Sequence, residues 1–205
     1  MERREAIEKL KKLIGKDLHQ LAREYGIPIY HPNGKVNKGW AGHLFEKYLG
    51  LPRNSSRRPN LGSWELKSIP LKYKKDGELT FKETMAITMI NENDVLKNEF
   101  EESHLLKKLR SIVVIARVVG KSVDDPSYVH SVVEFNLEGD LYNAVKEDYD
   151  LIRRTIKEKG FDALTGKMGR YIQPRTKGRG HGSTTRAFYA RTKFLREFIK
   201  LNSER

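Results

Sequence analysis

Apolar residues recur at helical spacing at the start of the chain. Ile7, Leu10, Ile14, Leu18 and Leu21 share one face, and Gly26 with Pro28 closes the run, so one amphipathic helix is predicted here. The turn-rich stretch His31-Pro32-Asn33-Gly34 separates it from a second helical segment, Lys38 to Gly50. Trp40, Leu44, Phe45 and Tyr48 make the stripe of that segment. The period then changes. Residues 63–71 and 80–91 read as strands joined through Lys74-Lys75-Asp76-Gly77, whose Asp-Gly is a hairpin signal. Leu105 to Arg110 fits a short helix. Ile112 to Val119 is β-branched and apolar on both faces, as a central strand would be. Tyr128 to Phe135 is a further strand. Asp140 to Lys159 is helical through Leu141, Val145, Tyr149, Ile152 and Ile156. Arg170 to Gln173 reads as a short strand, followed by a glycine-rich loop and a last helix from about Tyr189 to Leu201. The order predicts an α/β fold with a mixed central sheet flanked by helices. One domain is expected over 1–205: a helical part to about residue 50, a sheet carrying the site over 51–138, and C-terminal helices with a recognition loop over 139–205.

Composition narrows the function. The chain has 205 residues, 38% hydrophobic and 33% charged, enough apolar content for a packed core. It has no cysteine, which excludes disulfide scaffolds, thiolate metal sites and cysteine nucleophiles. The longest apolar run, Ile112 to Val119, is broken by Arg117 and too short to span a bilayer. Met1-Glu2-Arg3-Arg4-Glu5 lacks a signal pattern, so a cytoplasmic setting and no membrane partner are expected. The formal net charge is +13. It is concentrated: Lys167 to Lys200 holds ten basic residues and one acid, whereas Glu134 to Asp150 holds six acids and one lysine. Clustered positive charge beside acidic stretches suggests a directed surface for a polyphosphate; a solvated basic face is the bland alternative.

The segment richest in chemistry is Pro59-Asn60-Leu61-Gly62-Ser63-Trp64-Glu65-Leu66-Lys67. On a strand, Glu65 and Lys67 project together while Trp64 and Leu66 point the other way. A carboxylate, helped by the intervening Leu66 carbonyl, can hold a hard divalent cation. A neighbouring ammonium can orient water or offset charge on a phosphorane. Glu-x-Lys alone is common on surface strands, so the pair is a weak signal by itself. Glu46, on the second predicted helix, could point at the sheet, or be an exposed partner of Lys38 or Lys47.

Four ordered blocks add to this pair: KGWAGHLFEKYLG, PNLGSWELKSIPL, SHLLKKLRSIVVIARV and YIQPRTKGRGHGSTTRAFYARTKF. Together they resemble the signature blocks of the MutH family, which comprises a mismatch-repair nicking endonuclease and the Sau-type type II restriction endonucleases. The resemblance runs from about Lys38 to the C-terminus. It implies a PD-(D/E)xK nuclease core, a restriction-endonuclease-like mixed sheet with a metal-dependent site at its edge. Glu46 falls on the family's helix glutamate, Glu65 on a metal-binding carboxylate and Lys67 on the catalytic lysine. Lys108 matches a further active-site lysine, with Lys107 adjacent. Where the family has a metal-binding aspartate, this chain has Asn60, and no aspartate occurs between Asp17 and Asp76. Asn60 is therefore either an inactivating Asp→Asn substitution or a natural asparagine that weakens the site. The implied metal site is Asn60, Glu65 and the Leu66 carbonyl. The implied cofactor is Mg2+, with Ca2+ as a non-productive substitute.

The C-terminal block has the composition of a nucleic-acid reader. Arginine can pair bidentately with guanine, and glutamine or threonine with other base edges. It lacks a Gly-Lys-Ser/Thr ending, which argues against a nucleotide-binding P-loop; the bland alternative is a mobile basic loop. Contacts to double-stranded DNA are expected from Lys38, Gln173, Arg175, Lys177, Arg179, His181, Ser183, Thr184, Arg186 and Tyr189. His104, Trp64, Phe188, Phe194 and Phe198 are assigned to structure. The expected function is sequence-specific hydrolysis of duplex DNA by a type II restriction enzyme, for which a homodimer on DNA is one arrangement. The alternatives are a MutH-like strand-nicking enzyme with a MutL-type partner, or a DNA-binding module with a degenerate nuclease site.

Overall fold

The computed structural model describes residues 1–51, 63–178 and 184–201. The predicted first helix is two helices, α1 (Arg3–Lys11) and α2 (Leu18–Glu24). The break has a local cause. Gly15 adopts φ 77°, a left-handed conformation that favours glycine, and its amide bonds to the Val129 carbonyl at 2.9 Å. Asp17 then starts a new helix, its carboxylate accepting from the His19 amide. Ile14, assigned by spacing to the buried stripe, is left half exposed. The helix α3 (Trp40–Tyr48) forms where expected and buries Trp40, Ala41, Leu44 and Phe45.

The strands β1 (Glu65–Tyr73) and β2 (Leu79–Phe81) form the expected hairpin across Lys74 to Gly77. The predicted second arm is not one strand, however. It breaks after Phe81, and β3 (Met85–Met89) leaves for another sheet. Two short helices follow, α4 (Glu92–Lys97) and α5 (His104–Leu109), and then β4 (Ser111–Val119) and β5 (Ser127–Asn136). The central sheet has the order β2-β1-β4-β5, with β1 parallel to β4 and the other pairs antiparallel.

The long helix α6 (Gly139–Lys159) matches its periodicity and stops at Gly160, φ 80°. Beyond it the predicted short strand forms as β6 (Ile172–Thr176), and the middle of the predicted loop, 179–183, lies outside the described residues. The long terminal helix is replaced by β7 (Arg186–Ala190), which pairs with β6 as a hairpin, and a short helix, α7 (Thr192–Arg196). Tyr189, expected to open a helix, therefore lies in β7. With β3 these strands make a second, antiparallel sheet of order β3-β7-β6. β-branched and aromatic residues read as helix from their spacing can instead pair across strands once a partner such as β3 is available.

Both faces of the central sheet are covered, which explains the two-sided apolar pattern of β4. Val113 and Ile115 pack with Trp64 and Leu66 under α1, α2 and α3. Ile112, Val114 and Ala116 pack with Ile69 and Leu71 against α5, α6 and the second sheet. Trp64, Phe188 and Phe194 are core residues, and Phe198 stacks on Phe135 at 4.2 Å. Among the described residues, no helix is long and apolar enough to cross a membrane.

Candidate active site

Strand alternation puts Glu65 and Lys67 on one face of β1, and the side chains meet: Lys67 Nζ lies 3.1 Å from Glu65 Oε1. A third group arrives from α5. Ser103 caps that helix by accepting from the Leu106 amide, which sets its rotation. Lys108 is thereby turned inward with Leu105 and Leu109, while Lys107 faces solvent. Lys108 Nζ donates to Glu65 Oε2 at 2.9 Å. The adjacent lysines, equivalent by spacing alone, are thus separated by geometry, and Lys108 is the one that touches Glu65. A single carboxylate, 2% exposed, is held between two ammonium groups, with Lys108 at 5%.

Lys67 also donates to the Ile87 carbonyl of β3 at 3.1 Å, which fastens the group to the second sheet. Burial pushes the Lys67 pKa below the ordinary lysine range; the Glu65 charge opposes this, and the charges of Lys108 and Lys177 reinforce it. Removing either ammonium takes one described partner from Glu65, whereas removing Glu65 takes the shared carboxylate from both lysines, the costlier loss.

The site lies at an open stretch of sheet edge. β2 pairs with β1 only over Leu71 to Tyr73, so among the described residues no strand flanks β1 before that point on this side. The Pro70 carbonyl faces this edge, accepting from the Lys82 amide at 2.9 Å. Carbonyl direction alternates along a strand, so the Leu66 carbonyl faces the same way. An anionic carboxylate oxygen and a backbone carbonyl oxygen at one edge are the donor types a hard divalent cation takes. The donor set fits such a cation in kind. Among the described residues, no three His, Asp or Glu side chains converge, and Asn60 lies outside the described residues.

Glu46 sits half-buried on α3, where it lines a recess with Pro28, Asn37 and His43. α3 packs on the Trp64 and Leu66 face of β1, whereas Glu65 projects from the other face. Of the expected DNA contacts, Arg179, His181 and Ser183 lie outside the described residues. Lys38 is exposed just before α3, and Arg175, Lys177 and Thr184 are exposed on the β6–β7 hairpin. The Arg175 guanidinium lies 5.5 Å from the Tyr189 ring centre and donates to Thr84 Oγ1 at 2.9 Å. Arg186 reaches back to Thr176 Oγ1 and the Asp162 carbonyl. Gln173 is the exception: it is 5% exposed, its side chain turned into the protein, so in this conformation it offers nothing to a base edge. His104 faces Asp94 at 3.5 Å, in keeping with a structural role.

Sequence spacing missed two parts of this arrangement. The Ile87 carbonyl leaves no sequence signal, because any residue supplies one. Asp148 does leave one: it is an acid at a core-facing phase of α6, between Val145 and Ile152. Its carboxylate accepts from the backbone amides of Arg170, Tyr171 and Ile172 and so fixes where β6 begins.

The chain is similar in sequence to several known proteins. The type II restriction enzyme Sau3AI of Staphylococcus aureus is 26% identical over 196 residues, which covers 91% of this chain but only 40% of that enzyme. The DNA mismatch repair protein MutH of Vibrio campbellii is 26% identical over 223 aligned positions, covering 98% of this chain and 96% of that protein. MutH of Shewanella woodyi is 28% identical, covering 89% of this chain and 78% of the relative. Among solved structures, a complex of the restriction endonuclease MvaI with its cognate DNA substrate aligns with a TM-score of 0.37 and 12% identity, covering 89% of this chain and 95% of that one. The family model described as DNA mismatch repair enzyme MutH matches residues 49–153, a span that takes in β1, α5 and β4 and with them Glu65, Lys67 and Lys108. The match covers just over half of the sequence, and the chain belongs to the MutH family.

Proposed function

We propose that the chain is an endonuclease that hydrolyses phosphodiester bonds at specific sites in duplex DNA, with a divalent metal and in the manner of a type II restriction enzyme. The observation that carries this reading is the Lys67–Glu65–Lys108 cluster at an open sheet edge, beside a basic hairpin whose Lys177 is near enough to act on Lys67. Glu65, the Leu66 carbonyl and Asn60 are the groups that would hold the metal. A bound divalent cation supplies charge neutralisation at the phosphate and a more acidic water. The chain's own residues do the rest. Lys108 keeps the Glu65 carboxylate oriented. Lys67, its pKa lowered by burial, can take up a proton from the attacking water or hold that water in line. Exposed Lys177, Arg175 and Lys38 would hold backbone phosphates. The formal charge of +13 suits a protein that finds its site unaided.

A second reading, a strand-nicking repair enzyme, is favoured by the alignment along 96% of MutH. Digestion of a supercoiled plasmid separates the two. A restriction enzyme linearises unmethylated DNA alone. A repair enzyme nicks one strand of hemimethylated DNA and is stimulated by a MutL-type partner. A binding module without catalysis would bind duplex in calcium unchanged by Lys67→Ala, and Asn60→Asp would restore no cleavage in magnesium or manganese.

The role of Lys67 has a pH consequence. Only its neutral form accepts a proton, so the cleavage rate is expected to rise with pH through the lowered lysine pKa and then level off. Lys67→Arg, which keeps its proton throughout, should lose both the rate and the rising limb. A rising limb that survives in Lys67→Arg assigns the titration to another group.

A further inference from the structure

On the opposite face of the central sheet, α3 and the β4–β5 turn enclose a cavity of about 250 Å3. Arg117 of β4 lines it, paired in register with Pro70 of β1. Pro70 is five residues beyond Glu65, about 17 Å along a strand at ~3.3 Å per residue. The cavity therefore shares neither face nor end of the sheet with the Glu65 group.

Arg117 is half-buried, and its guanidinium is poorly paired. It lies 5.6 Å from the Trp40 ring, which is itself packed on His19 at 5.2 Å. Its hydrogen bond is a long one, from Nη1 to Ser127 Oγ at 3.3 Å, and its Nε is buried with no acceptor. No carboxylate among the described residues is within ion-pairing distance of it. Burial presses its pKa down, with the Glu83 charge opposing. An arginine partly withdrawn from water normally finds an anion, because a poorly solvated, unpaired charge is costly. Here the open side of the guanidinium faces a cavity whose rim carries two more cations, Lys38 and Lys82. Glu83 and Asp125 also line it, so three cations face two carboxylates, of which Asp125 accepts from the Ser122 amide at 2.7 Å.

We propose that this cavity is a phosphate-binding site, in which Arg117 pairs with phosphate oxygens through its planar fork and Lys38 and Lys82 close over them. The site shares Lys38 with the endonuclease reading but is centred on Arg117, and it would exist even if the Glu65 group proved inert. The phosphate could belong to the DNA backbone away from the cut or to a small free molecule; the chemistry is shared.

Titration calorimetry with inorganic pyrophosphate tests the site. The protein should bind pyrophosphate, with Kd rising about tenfold or more in Arg117→Met. Lys82→Ala removes an exposed rim charge without touching the core and should weaken binding severalfold. No binding by the unaltered protein, or binding unchanged in Lys82→Ala, overturns the proposal. Duplex affinity in the same variants identifies the source. A DNA phosphate in the cavity would raise the duplex Kd of Lys82→Ala and lower its log–log salt slope by about one. A free anion would leave duplex binding unchanged while pyrophosphate binding is weakened.

Discussion

Replacing Asn60 by Asp is expected to raise the rate of duplex cleavage in magnesium by on the order of a hundredfold or more. The reason is the charge balance at the β1 edge. Glu65 is one carboxylate facing two ammonium groups, at 3.1 Å and 2.9 Å, so the described cluster is net positive and repels a divalent cation. In the proposed site an asparagine oxygen would add only a dipole, whereas an aspartate would add a full negative charge and make the cluster neutral. Single-turnover cleavage of a plasmid by the two proteins measures the effect. Metal affinity measured without DNA, by titration with manganese, should move in the same direction. Equal cleavage rates would remove Asn60 from the metal site and return the search for a second anionic ligand to Glu46.

The two halves of the active cluster were legible to different degrees. Glu65 and Lys67 meet because alternation along a strand is a local rule, and the period change after residue 63 identifies the strand. Lys108 is 43 residues from Glu65, and no local rule reaches that far; the family block pointed to it, and only the Ser103 cap and the rotation of α5 chose it over Lys107. The central strand β4 was plain because both its faces are apolar. In the second sheet β3 and the start of β6 were legible as strands, but β7 and the pairing of the three were not. β3, β6 and β7 are five residues each and become strands by pairing with one another across nearly ninety residues of chain. Gln173 illustrates the same limit. Its residue type suits a base edge, but its burial depends on the face of β6 that the second sheet turns inward. Arg117 was visible only as the residue that interrupts an apolar run, and what surrounds it came from three distant segments.

The largest loss of stability is expected at Asp148, although it touches neither Glu65 nor any expected DNA contact except through the backbone. The carboxylate is 4% exposed and accepts from three successive amides, Arg170 at 2.5 Å and Tyr171 and Ile172 at 2.7 Å. The same bend is held from the other side by Arg191, which donates to the carbonyls of Gly166, Met168 and Gly169 at 2.8, 2.9 and 3.0 Å. Gly169 has φ 75°, and a Cβ there would stand 1.8 Å from the Ile172 carbonyl oxygen, so the bend admits no other residue without moving β6. Asp148→Asn keeps one oxygen but turns an NH2 toward donors, leaving buried amides unsatisfied; about 3–5 kcal/mol should be lost in urea unfolding. Below the unfolding transition, the hairpin should lose its fixed start. Duplex binding at low salt, which depends on charges that remain, should hold, while the ratio of specific to non-specific affinity falls. A loss below about 1 kcal/mol would mean that those amides find other acceptors. An unchanged specificity ratio with the full stability loss would confine Asp148 to the core and separate the β6 anchor from DNA reading.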